Sequence, residues 1–216
     1  MLSRRKFLGH SFVLGGIAAQ TLVWGSKANG EPNTGTTSII PGDLWSYHPI
    51  DPATAAKLAY EGHARGGCSY AVFYGILAQL AEAYGEPYRS FPFKMMKFGN
   101  SGIGDTGNIC GGLVGASAAI GLFLDGKVRI ESIKNLLQWY ENTELPKYQP
   151  SQPIFISGNI TTVKAQTTLC SNSSAAWCKK SGFEHGSRER IERCLRLSAD
   201  TCMKTAELLN AATGGK

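Results

Sequence analysis

Apolar residues recur at helical spacing over most of residues 51–212. Asp51 and Pro52 are typical of a helix start, because the carboxylate caps free N–H groups and proline suits the first turn. We expect this helix to stop at the Gly66-Gly67 pair. A second helix is predicted from Cys68 to Tyr84, and it is apolar on nearly all sides, which indicates burial.

Three further segments have the apolar pattern of helices. Residues 106–124 carry no charge, and their many glycines and alanines favour a core helix, begun near Cys110, over a membrane span. Residues 129–142 have apolar positions at helical spacing, and Ser187 can cap a long amphipathic helix over 188–212.

Residues 154–166 are the one strand-like region, and Ser157-Gly158-Asn159 is suited to a hairpin turn there. The chain shows no internal repeat. We therefore predict a mainly α fold: a single-domain helical bundle with a small β-hairpin near 154–166.

The amino terminus has the form of an export signal. Ser3-Arg4-Arg5-Lys6-Phe7-Leu8 resembles a twin-arginine motif, a short apolar stretch follows, and Ser26-Lys27-Ala28 is a small-x-small cleavage site. We predict a signal peptide over residues 1–28, an extended lead-in over 29–50, and the helical domain over 51–216. The mature protein would then be periplasmic and would have the twin-arginine export machinery as a partner.

Removal of the signal changes the charge of the chain. The formal net charge is +6, and residues 1–28 hold four cations and no acid, so the mature chain would carry 6 − 4 = +2. No basic stripe remains to indicate nucleic-acid binding.

The stretch SGIGDTGNICGGLVG at 101–115 contains G-x-G-x-x-G, the spacing of a dinucleotide-binding loop. The preceding residues lack the β-branched run of a buried parallel strand, and Asp125 follows a helix rather than a second strand. We therefore interpret the informative part as Cys110, placed where a loop becomes a helix, where the helix dipole favours a thiolate. Cys68 also follows a glycine pair and begins a helix.

All six cysteines lie beyond residue 28: Cys68, Cys110, Cys170, Cys178, Cys194 and Cys202. An even number in an exported protein is compatible with disulfides. Dispersed thiolates also suit an iron–sulfur cluster or tetrahedral zinc. A C-x-x-C motif, typical of thioredoxin-like oxidoreductases, is not found in this sequence. His63, five residues before Cys68, is interpreted as a solvated helix-end residue, with a ligand or proton carrier as the alternative.

The sequence resembles the redox-active family named for its pattern of C, GCAxxG, C and C. The resemblance rests on Cys68 in GGCSYAV, Cys110 in CGGLVGASAAIGL, and the late cysteines in WCKKSGF and ERCLRLSADTC. Gly112 stands where the family usually has alanine. The export signal and the carboxyl-terminal segment are most similar to the split-Soret cytochrome branch. Those proteins carry c-type haem, but this sequence contains no C-x-x-C-H motif, so covalent haem is not expected.

The family resemblance implies four redox-active or metal-binding cysteines. The third is Cys170 or Cys178 and the fourth is Cys194 or Cys202. The favoured set, as cofactor-binding and metal ligands, is Cys68, Cys110, Cys178 and Cys194. Cys170 and Cys202 would then form a disulfide or a second pair of ligands.

Two functions fit the sequence. The first is an exported electron-transfer protein with an iron–sulfur cluster or another metal, which exchanges electrons with a redox partner protein. The second is a cofactor-free, disulfide-stapled binding module. Whether the protein is an enzyme stays open, and so does a homodimer.

Overall fold

The computed structural model describes residues 44–214, so the predicted signal peptide and most of the lead-in lie outside the described residues. Residues 44–214 fold into five α-helices: α1 Pro52–Tyr84, α2 Gly111–Phe123, α3 Gly126–Asn142, α4 Cys170–Ser181 and α5 Arg188–Ala212. Short 3₁₀ turns cover Tyr88–Ser90, Phe93–Gly99 and Ile103–Asp105. The predicted mainly α fold is confirmed.

Helix α1 consists of two helical segments separated by a kink. The Asp51 carboxylate accepts hydrogen bonds from the N–H groups of Ala53 and Thr54 at the start of α1, as its cap position predicts. Gly67 then leaves the helical conformation, with φ 77° and ψ −168°. Positive φ at this point suits glycine, which has no Cβ to clash. The predicted stop is therefore a kink, after which Cys68 begins the second segment.

The core lies where α5 packs along α1, with α2 and α3 completing it. Apolar side chains from α1, α2 and α3 fill the interior, and the largest of them that are fully buried include Phe73, Ile76, Leu77, Leu80, Leu113, Ile120 and Leu136. Each such side chain contributes about 1.5–3 kcal/mol to folding. No helix within residues 44–214 is long and apolar enough to cross a membrane. Residues 111–123 form a core helix, as predicted.

Two α2 glycines allow backbones to meet. A Cβ on Gly111 would collide with the Gly99 carbonyl oxygen, and a Cβ on Gly115 would collide with the Ser69 carbonyl. Gly112 is different, because a Cβ there would lie 3.6 Å from Thr201 Oγ1, an ordinary contact. An alanine therefore fits at position 112 but not at 111 or 115.

A buried ion pair on α5 binds the irregular segment of residues 149–158, which precedes α4. Glu192 and Arg196 are one turn apart on α5, fully buried, with Nε donating to Oε1 at 2.8 Å. Tyr60 donates to the same carboxylate at 2.7 Å. Arg196 also donates to three acceptors on the segment: Gln149 Oε1 and the carbonyl oxygens of Ile156 and Gly158, at 2.7–2.9 Å. Its charge is thus fully compensated.

The hairpin expected near 154–166 does not form. Val163 pairs with Leu145 instead, through two backbone hydrogen bonds of 2.9 and 3.1 Å. The physical reason is that the Ile156 and Gly158 carbonyls accept from Arg196, while the Phe155 N–H donates to Glu192. The backbone groups that a hairpin needs are bonded to α5.

Gly112→Ala is expected to stabilise the protein by about 0.4–1 kcal/mol, because the site has room and alanine loses less chain entropy on folding. Gly111→Ala is expected to destabilise it by about 1–3 kcal/mol through overpacking against Gly99. Urea unfolding of the two variants tests this. Equal effects at both positions would contradict the packing described.

Arg196→Met should lower the free energy of unfolding by about 3–5 kcal/mol, because it leaves the Glu192 carboxylate buried without its cation. The matched control is Lys127→Met, which breaks another i,i+4 pair whose side chains are 87% and 57% exposed. No measurable change in the unfolding midpoint is expected for the control. A similar loss in both variants would show that burial is not the cause.

Candidate metal centre

Four cysteines from four helical segments come together in the fold. Cys68 begins the second segment of α1, Cys110 caps α2, Cys170 is the first residue of α4, and Cys194 lies within α5. Burial raises the pKa of the Cys68 thiol well above its usual value, and the charges of Cys194, Cys110 and Cys170 raise it further. These four residues are called the sulfur cluster below.

A short antiparallel contact brings Cys110 and Cys170 together. Ile109 pairs with Leu169, the Cys110 N–H donates to the Thr168 carbonyl at 2.8 Å, and the Cys170 N–H donates to the Asn108 carbonyl at 2.6 Å. Neighbouring residues of extended chains point to opposite faces. Because the bridged pair is exposed, both cysteines share the face turned inward.

Close backbone packing brings Cys68 next to the start of α2. A Cβ on Gly111 would lie 3.0 Å from the Cys68 Cβ. The glycine that follows Cys110 therefore provides the space into which Cys68 fits. The two helix starts identified in the sequence do meet, and the third, at Cys170, joins them.

The structure differs from the predicted ligand set at one position. Cys68, Cys110 and Cys194 come together, but the fourth member is Cys170 rather than Cys178. Cys178 lies eight residues further along α4, about 12 Å along the helix axis. Its neighbour Trp177 is a core residue that donates to the Thr161 carbonyl at 2.7 Å. The available signal was that Cys170, like the first two cysteines, begins a helix.

Cys202 is separate from the sulfur cluster. It is fully buried between α5 and α1, with its Sγ 3.4 Å from the Val72 carbonyl oxygen. Burial raises the pKa of this thiol above its usual value. All six cysteines are free thiols, and Cys202 and Cys170 do not form the extra pair that the sequence suggested.

Arg193 places a buried positive charge beside the sulfur cluster. The residue is 3% exposed, and its Nη1 lies 3.8 Å from the Cys194 Sγ. Its Nη2 donates to the Ser173 Oγ at 2.5 Å. Burial acts to lower the pKa of Arg193, but its interactions with Cys194, Tyr140 and Cys110 outweigh burial and raise that pKa above its usual value.

Tyr140 connects this arginine to a second sulfur. Its buried hydroxyl lies 3.1 Å from the Ser173 Oγ. Burial raises the pKa of Tyr140 well above its usual value, and the nearby Cys110 adds to the rise. A polar chain of Tyr140, Ser173 and Arg193 thus runs between Cys110 and Cys194.

His63 contacts the sulfur cluster from the first segment of α1. Its Nε2 lies 3.3 Å from the Cys68 Sγ, so the residue is not the solvated helix-end histidine that we expected. Burial lowers the pKa of His63 to about 4, and the charge of Arg190 contributes. The imidazole is therefore neutral near pH 7, and a neutral ring nitrogen is a metal donor.

Cys170 marks the open side of the sulfur cluster. It is half-buried, whereas the other three cysteines are buried. It lines a cavity of about 190 Å³ together with Asp105, His185 and Arg190. Burial raises the pKa of the Cys170 thiol to about 12, and the charges of Cys110 and Cys194 add to this rise. Solvent therefore reaches the cluster at this residue.

The donor set fits a thiolate-bound metal or cluster. Four thiolates packed this closely would repel one another, so they need a cationic centre to stay deprotonated together. Two buried side-chain polar atoms in the described part of the chain have no hydrogen-bond partner, Ser69 Oγ and Arg193 Nε. Each belongs to the sequence neighbour of a cluster cysteine, Cys68 or Cys194. Of these two atoms, Arg193 Nε belongs to the guanidinium whose Nη1 lies 3.8 Å from the Cys194 Sγ.

The sulfur atoms are neighbours but are not set at the spacing of a single ion. Within residues 44–214, no three His, Cys, Asp or Glu side chains form a group that could hold one metal ion as they stand. Four sulfurs around one ion would be about 3.8 Å apart, from metal–sulfur distances of about 2.3 Å.

Comparisons with known proteins identify the family of this chain. A sequence profile of the family described as "Putative redox-active protein (C_GCAxxG_C_C)" matches residues 67–208. The split-Soret cytochrome c of Desulfovibrio desulfuricans is 36% identical over 208 residues, which cover 91% of this chain and 75% of that protein.

A solved structure is also similar. It is described as a novel iron centre in the split-Soret cytochrome c from Desulfovibrio desulfuricans, and it covers 79% of this chain and 72% of its own. The TM-score is 0.76 at 38% identity. The profile match spans all six cysteines, and it confirms the family resemblance seen in the sequence. The chain belongs to the C_GCAxxG_C_C family of redox-active proteins.

Proposed function

We propose that this protein is an exported electron-transfer protein that holds an iron–sulfur centre on Cys68, Cys110, Cys170 and Cys194. The observation that carries the proposal is the convergence of four thiols from four helical segments. Iron is favoured because the similar solved structure is described as containing an iron centre. An iron–sulfur centre, when bound, accepts and releases an electron.

The proposed centre contains more than one iron. The sulfurs influence one another but form no single-ion group. A polynuclear cluster keeps its cysteine ligands further apart than one ion does. The side chains of this protein bind the centre and exclude water from the Cys68, Cys110 and Cys194 sides, since these three residues are buried.

The Cys170 side is proposed as the face for electron exchange. Electron transfer weakens steeply with distance, and Cys170 is the cluster cysteine nearest to solvent. Ile109 and Leu169 lie exposed beside it and give a redox partner protein an apolar contact. The twin-arginine motif supports export of the folded, loaded protein to the periplasm. Whether two copies associate is left to measurement of the oligomeric state.

Anaerobic purification should yield a coloured protein that contains iron and acid-labile sulfide. Cys110→Ser and Cys170→Ser should each lose most of the visible absorption, because each removes a thiolate ligand. Cys178→Ser is the matched control on α4 and should keep iron, sulfide and absorption. Absorption spectra and metal analysis of the three variants provide the measurement.

Two results would contradict the proposal. A colourless protein with all six cysteines oxidised would support the disulfide-stapled module instead. Loss of iron in Cys178→Ser together with full iron in Cys170→Ser would support Cys178, the ligand expected from the sequence, in place of Cys170.

Loading should protect one of the two half-buried thiols from alkylation. In chelator-treated protein, iodoacetamide should label Cys170 and Cys178 before the buried cysteines. The labelling rate of Cys170 should rise about tenfold per pH unit from pH 7 to 9, because burial raises the pKa of its thiol to about 12. In the iron-loaded protein Cys170 should be protected and Cys178 should still react. Peptide mass spectrometry reads both sites, and equal protection of Cys178 would count against the assignment.

A further inference from the structure

Helix α5 carries two buried arginines in contrasting surroundings. Arg196 pairs with the Glu192 carboxylate and donates to three further oxygen atoms. Arg193, almost one turn earlier, is equally buried, but none of the ion pairs found in residues 44–214 includes it. One arginine therefore has its counter-charge within the protein, and the other has no carboxylate partner.

The neighbours of Arg193 are sulfurs and hydroxyls. Its Nη1 reaches the Cys194 Sγ, and its Nη2 donates to the Ser173 side chain and, at 3.5 Å, to the Ser173 carbonyl oxygen. Its Nε donates to nothing among the described residues. Burying a charge without a partner costs several kcal/mol in proteins. The hydrogen bonds to Ser173 offset part of that cost but supply no negative charge, whereas a sulfur centre with a net negative charge supplies one.

We infer that Arg193 is the buried counter-charge of the sulfur centre, which strengthens metal binding and raises the reduction potential of the centre. Arg190, which is less buried, also reaches the Cys194 Sγ, at 3.6 Å from its Nη1. The inference rests on the proposed function, because it assigns a positioning residue to that centre. A fixed positive charge stabilises the reduced state, which carries one more negative charge, more than the oxidised state. The Arg193 Nε–H has no other acceptor among the described residues, so it is available to donate a hydrogen bond to a sulfur atom of the centre.

Three helices hold the guanidinium in place. Ser173 of α4 accepts from Nη2, and the Tyr140 hydroxyl of α3 contacts the same Ser173 Oγ at 3.1 Å. The Arg193 backbone belongs to α5. Neither Tyr140 nor Ser173 needs to bind the metal in this arrangement. Their role is to fix the charge between Cys110 and Cys194.

The counter-charge predicts opposite effects of one substitution on two forms of the protein. Arg193→Met removes the charge and keeps much of the side-chain volume. The metal-free variant should melt at the same temperature as the metal-free wild type or higher, because an uncompensated buried charge is gone. The iron-loaded variant should bind iron about 10–100-fold more weakly and have a lower reduction potential.

Two further variants control for structural effects. Arg188→Met changes an exposed arginine of the same helix and should alter neither the reduction potential nor iron retention. Arg193→Lys keeps the charge but loses the forked hydrogen bonding, so its potential should lie between those of wild type and Arg193→Met. Thermal unfolding with and without iron, competition with a chelator, and potentiometric titration supply the readouts.

The outcomes separate this inference from the proposed function. A wild-type protein that takes up no iron would contradict the proposed function itself. Normal iron binding in the wild type with an unchanged potential and affinity in Arg193→Met would overturn the counter-charge. Equal destabilisation of the metal-free and loaded variant would also overturn it, because that result is expected of a purely structural arginine.

Discussion

The close approach of α2 to the kinked helix α1 is the contact on which the rest of this structure depends. Glycine at 111 and 115 lets the α2 backbone meet the carbonyls of Gly99 and Ser69. The same approach brings Cys68 beside the start of α2, where Cys110 lies. Interiors are packed too densely to absorb an extra methyl group at such a contact. The packing of α2 and the assembly of the sulfur cluster therefore depend on the same small residues.

Charge burial along α5 is organised around two different needs. The pair of Glu192 and Arg196 is satisfied internally, and it ties down the long segment that precedes α4. Arg193 faces the sulfur cluster and has no carboxylate partner within residues 44–214. Arg196 therefore stabilises the fold through its ion pair, while Arg193 places its positive charge beside the sulfur cluster.

The sulfur cluster has a closed side and an open side. Cys68, Cys110 and Cys194 are buried against the helices, while Cys170 lines a cavity that reaches solvent. A buried redox centre is protected from water, yet it must come near the surface at one edge to exchange electrons. The bridge between Ile109 and Leu169 combines the two sides. Cys110 and Cys170 lie on its inward face, and the side chains of Ile109 and Leu169 are exposed on its outward face.

The sequence alone determined most of the helices and three of the four clustered cysteines. Caps at Asp51 and Ser187, helical spacing and glycine–cysteine helix starts are local signals, and local signals decide where helices begin. The hairpin failed as a prediction because its backbone groups bond to Arg196 and Glu192, which are remote in sequence.

Tertiary structure, not local sequence, also decides whether Cys170 or Cys178 lies beside the other three sulfurs. Both lie on α4, and a family pattern does not say which one faces the other sulfurs. The pairing of Ile109 with Leu169 sets that register, because it fixes the start of α4 against the start of α2. Contacts between residues 60 apart leave no trace in local periodicity, so only the folded chain shows which sulfur completes the cluster.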